Sequence, residues 1–351
     1  MSDAGKVRVL LVEDSDSQRE VLRWVIRQGA GLDLVGEATN GRDAVAMVRA
    51  LGPDIVLMDC HMPVMDGVAA TREIMRECPV PIVIVSASAA ASDVHPGLDA
   101  LREGALAIVP KPTDPGMPGF DAQAEELRLS LRLMSEVKVV RRTLRRAARE
   151  PAVPAVPNRA VSLLAIGAST GGPPVVMEIL RTLAGSLTVP VLIVQHMAPG
   201  FNAGFASWLA RGSGVPVSIA LDQETARPGH AYIAPDDAHL GIDRRAVLRL
   251  DPGPPEDGFR PSISHLFRTV AETFGGRAMA ILLTGMGEDG ARGLAEVARA
   301  GGVTVAQDRE SSVVFGMPGA AVRLGAARHV LPPAAIAALA REQMRQRSVQ
   351  A

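Results

Sequence analysis

Four side chains with reactive groups close apolar runs in this sequence: Asp59, Ser169, His196 and Asp289. Ser169 lies in Gly167-Ala168-Ser169-Thr170-Gly171-Gly172, a strand-to-helix turn whose glycines permit a sharp bend. Such a bend exposes the hydroxyl and leaves backbone N–H groups at a helix start to face an oxyanion. Taken alone, this motif also fits a phosphate cradle or simple close packing. His196, in Gln195-His196-Met197, ends the next strong apolar run, and Asp289, in Gly285-Met286-Gly287-Glu288-Asp289-Gly290, follows a later one. A serine hydroxyl is a poor nucleophile at neutral pH, so an imidazole must remove its proton and a carboxylate must hold the imidazole tautomer. Serine, base and orienting acid at one sheet edge would perform acyl transfer. The order Ser, His, Asp differs from that of the α/β-hydrolases, where the acid precedes the histidine. Asp236 and Asp237 compete for the acid role, but a proline-bounded turn accounts for them. Thr170, Met286 and Arg260 are the candidates for oxyanion or substrate contacts.

A second set of polar residues lies in the first third of the chain. Glu13 and Asp14 follow the run Val7 to Val12, Asp59 follows Ile55 to Met58, Ser86 follows Ile82 to Val85, and Lys111 follows Ala105 to Val109. In a parallel sheet, the loops at the carboxyl ends of the strands gather on one edge. Clustered carboxylates repel one another and suit a hard dication, so Glu13, Asp14 and Asp59 are expected to hold Mg²⁺. Lys111 would pair with a phosphoryl group as a compact cation, and the Ser86 hydroxyl would hydrogen-bond one of its oxygens. Any one of these acids could instead be an ordinary helix cap.

These sites need two sheets. At 351 residues the chain exceeds the usual size of one hydrophobic core. The first 115 residues or so alternate the apolar runs above with helix-period segments, and a weaker strand, Leu32 to Val35, lies between two of the helices. That pattern is a doubly wound α/β sheet. An arginine-rich helical pattern then runs from Ala122 through Val137 to Arg149, until Pro151, Pro154 and Pro157 stop it. Its arginines, Arg141, Arg142, Arg145, Arg146 and Arg149, read as a solvated face. Leu163 to Gly167, Val191 to Val194, Ala231 to Ala234, Val247 to Leu250, Ala280 to Leu283 and Val303 to Ala306 then read as a second parallel sheet.

Hydrophobic residues at 47%, charged residues at 21% and a net charge of −1 describe a globular protein with no call for a polyanionic partner such as nucleic acid. Two cysteines make no disulfide framework, and no apolar stretch approaches the roughly 18 residues of a membrane span. A cytoplasmic protein without membrane insertion is expected. The six histidines other than His196 lie scattered without ligand spacing, so no zinc is expected.

Asp59 followed by Met62, Pro63 and Asp66-Gly67, together with Lys111-Pro112, resembles the response-regulator receiver family. That resemblance implies a flavodoxin-like domain in which a sensor histidine kinase phosphorylates Asp59. Ile108 departs from the pattern, because the family often places an aromatic there. The triad, with Phe259-Arg260-Pro261-Ser262 and Ser311-Ser312-Val313-Val314-Phe315-Gly316-Met317-Pro318, resembles the chemotaxis protein-glutamate methylesterase (CheB) family over nearly the whole chain. It implies a receiver over residues 7–125, a basic and proline-rich linker over 126–158, and a catalytic domain over 159–346. It also implies hydrolysis of glutamyl methyl esters, and deamidation of certain glutamines, on methyl-accepting chemoreceptors, with no cofactor for the esterase. An inhibitory receiver–catalytic domain contact, relieved by phosphate on Asp59, would couple the halves. The rival readings are a non-catalytic receiver-based scaffold and a receiver-driven transcription factor, the latter lacking a DNA-reading module.

Overall fold

Runs of four to six consecutive apolar residues need a strand covered on both faces, and helices packed on either side of a parallel sheet supply that cover. The computed structural model describes residues 5–86, 91–137, 139 and 161–345. The chain divides into two compact units, Met1–Ala147 and Ala148–Ala351.

In the first unit, β1 (Val7–Val12), β2 (Leu32–Ala38), β3 (Ile55–Asp59), β4 (Ile82–Ser86) and β5 (Ala107–Pro110) form a parallel sheet in the order β2-β1-β3-β4-β5. The helices are α1 (Asp16–Gln28), α2 (Gly41–Leu51), α3 (Gly67–Glu77), α4 (Ala91–Glu103) and α5 (Phe120–Ser135). Leu10, Leu11, Leu57 and Ile84 are fully buried in this sheet. Polar caps start the helices: the side chains of Ser15, Asn40 and Asp66 accept from the N–H groups of Gln18, Asp43 and Ala69. In α5, Phe120, Ala124, Leu127, Leu131 and Met134 recur at helical spacing and are buried. The helix stops at Ser135, so Val137 lies beyond its end. The expected continuation through Arg149 and the proline stop fall outside the described residues.

The second unit carries a seven-stranded sheet in the order β14-β13-β12-β6-β7-β9-β8. Its strands are β6 (Leu163–Ala168), β7 (Val191–Gln195), β8 (Val217–Ile219), β9 (Ala231–Ile233), β12 (Ala278–Leu282), β13 (Val303–Gln307) and β14 (His329–Leu331). All pairs are parallel. The helices are α6 (Gly172–Leu183), α7 (Phe201–Ser213), α8 (Ile263–Phe274), α9 (Ala291–Arg299), α10 (Met317–Arg323) and α11 (Pro333–Arg345).

One expected strand is corrected. Val247 to Leu250 does not join the parallel sheet: β11 (Leu248–Asp251) pairs antiparallel with β10 (His239–Ile242) in a separate two-stranded sheet. Leu240, Ile242 and Leu248 of this hairpin share a buried cluster with Leu266, Phe267 and Val270 of α8. The hairpin thus covers α8 while that helix covers the sheet. A four-residue apolar run carries no record of which partner it pairs with, whereas the five-residue connection between β10 and β11 makes their pairing local.

The chain leaves β6 toward β7 on one side and later returns to place β12 on the other. That reversal opens a crevice beyond the carboxyl ends of β6 and β12, where open α/β sheets bind ligands. Ser169 follows β6 and Asp289 lies in the loop after β12.

Candidate active site and acidic phosphoryl-acceptor site

The carboxylate of Asp289 has a fully buried side chain and takes four hydrogen bonds from the protein. Its Oδ1 accepts from Ser262 Oγ at 3.1 Å, Ser264 N–H at 2.9 Å and Gly290 N–H at 2.7 Å. Its Oδ2 accepts from Ile263 N–H at 2.8 Å. Ile263 and Ser264 open α8, so the acid occupies a helix N-terminus where unpaired N–H groups and the helix dipole favour negative charge. Nε2 of His196 lies 3.0 Å from the same Oδ2, an ion-pair distance at an angle short of a full hydrogen bond. Burial pushes the Asp289 carboxyl up, but His196 and the Ile263 and Ser264 N–H groups outweigh it and hold the pKa down at about 2. With Nε2 facing Asp289, Nδ1 is the ring nitrogen left to serve a nucleophile, and it has no hydrogen bond among the described residues.

Three neighbouring loops set the Ser169 turn. The N–H of Ser169 donates to Thr284 O at 3.0 Å, and Thr284 Oγ1 lies 3.0 Å from Thr170 O. His196 N–H donates to Ala168 O at 2.9 Å, fixing the start of the histidine loop against the end of β6. The buried Gln195 amide bridges the two loops, donating to Ser169 O and His196 O, both at 2.9 Å. Gly171 has φ of +75°, and a Cβ there would lie 2.5 Å from the Val313 side chain, so the turn and its packing both require glycine. Ser169, Thr170 and Met286 are half-buried. Among the described residues, the N–H groups of Thr170 and Met286 donate to no protein acceptor. These donors and the hydroxyl suit an acyl-transfer site.

Other expectations resolve differently. Arg260 donates through Nη1 to Pro252 O and Gly253 O, both at 3.1 Å, bracing its own loop, and its buried Nε has no partner among the described residues. Asp236 accepts from Gly200 N–H and Asn202 Nδ2 at the start of α7, and Asp237 lies 3.5 Å from Arg260. Two of the histidines read as scattered are brought together: His239 and His265 stack with ring centroids 4.6 Å apart, and each offers a ligand atom near Glu256. Existing bonds occupy that cluster. Nδ1 of His239 accepts from Ser262 N–H and Nε2 lies 3.0 Å from Pro254 O, while Arg268 grips both oxygens of Glu256 at 2.6 and 3.0 Å. Sequence reasoning assigned no role to Gln195, Thr284 or Phe259. Gln195 closes β7 and Thr284 follows β12, placements at strand ends that could have marked them.

In the first unit, Glu13, Asp14 and Asp59 each present a carboxylate oxygen within 4.8 Å of the others. Nζ of Lys111 lies 2.7 Å from Glu13 Oε2 and 3.1 Å from Asp59 Oδ1. Burial raises the Glu13 pKa most, with the Asp59 charge adding to it and Lys111 opposing. Burial also disfavours the Lys111 cation, but Glu13 and Asp59 outweigh it and raise the Lys111 pKa. One lysine against three acids leaves excess negative charge, and all-oxygen donors suit a hard dication. Ser86, buried at the end of β4, accepts through its carbonyl from Lys111 N–H at 2.8 Å, which ties the two residues together. A Cβ on Gly67 would lie 2.3 Å from Asp59 O, so this glycine lets α3 start against the end of β3. Ile108 packs over Gly97 of α4.

The depressed pKa of Asp289 gives a pH test. On acidification the unfolded chain takes up the proton first, near the ordinary 3.8, so the stabilising contribution is complete above that value and fades as pH falls toward 2. Asp289→Asn should therefore cost about 2 kcal/mol in urea unfolding at neutral pH, with the gap to wild type narrowing from about pH 4 to about pH 2. A gap that stays constant over this range would contradict the linkage.

Residues 164–340 match the family model for the CheB methylesterase, and residues 9–117 match that for the response regulator receiver domain. A relative from Geobacter metallireducens, named protein-glutamate methylesterase/protein-glutamine glutaminase 4, is 47% identical over 93% of this chain and 96% of its own. A relative from Hahella chejuensis, named protein-glutamate methylesterase/protein-glutamine glutaminase 3, is 46% identical over 95% of this chain and 97% of its own. Among solved structures, the Thermotoga maritima CheB methylesterase catalytic domain is similar, with a TM-score of 0.50 and 36% identity over 52% of this chain and 99% of that one. With a receiver domain ahead of a catalytic domain and such likeness across nearly its full length, the chain belongs to the CheB methylesterase family.

Proposed function

We propose that this protein is a phosphorylation-activated protein-glutamate methylesterase that also deamidates glutamines, acting on the methyl-accepting chemoreceptors of a chemotaxis-type pathway. The observation that carries this reading is the His196–Asp289 pair, 3.0 Å apart, in the crevice beside the Ser169 turn. Ser169 Oγ attacks the side-chain carbonyl of a glutamyl methyl ester while Nδ1 of His196 takes the hydroxyl proton. The N–H groups of Thr170 and Met286 receive the negative charge that builds on the carbonyl oxygen. His196 then gives its proton to the leaving methoxide, releasing methanol and an acyl-Ser169. Water, deprotonated by His196, attacks that ester, returning the proton to Ser169 and releasing glutamate. A glutamine follows the same route with ammonia as the leaving group. Asp289 stays ionised throughout, fixing the ring tautomer and stabilising the imidazolium.

In the receiver, Asp59 is the phosphoryl acceptor and a sensor histidine kinase the donor. Glu13, Asp14 and Asp59 would hold Mg²⁺, which supplies charge neutralisation for phosphoryl transfer when bound. Lys111 pairs with the incoming phosphoryl oxygens, and the Ser86 hydroxyl hydrogen-bonds one of them once they are present.

Three expected outcomes follow from these roles. Mg²⁺ at about 100 times its Kd should stabilise the first unit by about 2.7 kcal/mol, and Asp14→Ala should remove most of that gain in calorimetry; an equal Mg²⁺ response in the variant would rule out the assigned ligands. Ser169→Ala should abolish methanol release from methyl-labelled receptor membranes while Asp59 still takes up phosphate, and removing residues 1–150 should raise the basal rate of the wild-type catalytic half. Methanol release that survives Ser169→Ala would refute the nucleophile, and an unchanged rate in the folded fragment would refute inhibition by the receiver.

A further inference from the structure

The imidazole of His196 has a second neighbour besides Asp289. The ring of Phe259 lies flat on it, with centroids 4.0 Å apart and planes 3° from parallel. Phe259 is 36% exposed, so it is not a core side chain whose position packing alone would dictate. A tight turn presents it: Glu256 and Phe259 exchange two backbone hydrogen bonds of 3.0 and 2.9 Å as an antiparallel bridge. Between them Asp257 and Gly258 take φ of 52° and 86°, the left-handed pair that an Asp-Gly dipeptide favours in a two-residue hairpin turn. The base of this turn is fastened to α8. Glu256 is held by Arg268 through two hydrogen bonds of 2.6 and 3.0 Å and lies 2.8 Å from Nδ1 of His265, and both partners belong to that helix. The Arg268 guanidinium, chiefly, holds the Glu256 carboxyl at about 2, so the anchor stays charged over any working pH. The N-terminus of the same helix grips Asp289. One helix therefore sets both the acid at the edge of the imidazole and the aromatic ring on its face.

Resting on the Ser169–His196–Asp289 reading above, we infer that Phe259 is a positioning residue for the proton transfers of His196, held in place by the Glu256–Arg268–His265 cluster. A histidine that must meet an acid with one nitrogen and a hydroxyl with the other tolerates little rotation about its Cβ–Cγ bond, and a parallel ring at van der Waals distance blocks that rotation. The stack also keeps water from one face of the imidazole. When the ring gains a proton in the transition state, the π face of Phe259 lies against the new positive charge and favours it. The histidine–glutamate cluster, whose composition suggests a metal site, has a mechanical use instead.

The test compares Phe259→Leu, which keeps apolar bulk without a π face, with Phe259→Tyr, which keeps the ring. F259L should lower kcat for the methylated receptor by about two- to thirty-fold with KM unchanged, and F259Y should restore most of the loss. A second readout needs no turnover: in a Ser169→Ala background, the His196 ring protons should show an upfield ring-current shift in NMR that persists in F259Y and disappears in F259L. Glu256→Gln, which leaves both rings intact, should show a smaller kcat loss and a partial loss of the ring-current shift. Wild-type kcat in F259L, equal losses in F259L and F259Y, or ring-proton shifts that ignore Phe259 would each overturn the inference. Because the NMR arm is independent of catalysis, failure of the esterase reading would show separately, as turnover that persists in Ser169→Ala.

Discussion

Everything in the second unit that bears on chemistry converges on one buried carboxylate. Asp289 has no solvent, yet it stays ionised because its charge is shared among a serine hydroxyl, three backbone N–H groups and an imidazole. A bare carboxylate in that position would cost several kcal/mol or take up a proton. Placing it on the opening turn of α8 meets the cost with donors that the helix leaves unpaired in any case. The same bonds tie the loop after β12 to α8, so the acid is at once a structural clasp and the reference point for His196. Catalytic groups held by rigid elements need no reorganisation when charge moves.

The two units solve the same electrostatic problem in different ways. Both place polar groups beyond the carboxyl ends of parallel strands, at the edge where the twisted sheet leaves a crevice. In the second unit the negative charge is compensated by fixed dipoles and an imidazole. In the first, Glu13, Asp14 and Asp59 face one another with Lys111 as their cation, and the Glu13 pKa rises under burial. An under-compensated cluster is poised to respond when a dication or a phosphoryl group arrives, whereas a fully compensated one is built to stay as it is. That contrast matches a switch in one half and a fixed catalytic site in the other.

Much of this was legible in the residues. Continuous apolar runs such as residues 9–12 and 163–166 fit strands covered on both faces, and the polar residues that follow parallel strands gather at one edge. That rule singled out Ser169, His196 and Asp289 as candidates. The hairpin β10–β11 was not, because Leu248–Asp251 has the length of a sheet strand and its pairing partner is a matter of tertiary packing on α8. The end of α5 at Ser135 was not marked either, because the arginine-rich helical pattern of the sequence runs past it without a break. Phe259 and the histidines near Glu256 were invisible as a group, since their meeting depends on a two-residue turn and on α8, not on any spacing between them. Gln195 was read only as a neighbour of His196, though its amide spans both loops.

The most direct measurement is to trap the covalent intermediate. A receptor-derived peptide carrying a glutamyl ester, mixed with the protein and quenched in acid within the first turnover, leaves its acyl mass on the attacked side chain for tandem mass spectrometry to locate. The expected result is an acyl adduct on Ser169 alone, formed far more slowly in His196→Gln and in Asp289→Asn. An adduct on another residue, or one on Ser169 whose rate ignores both substitutions, would contradict a nucleophile activated through His196 and Asp289.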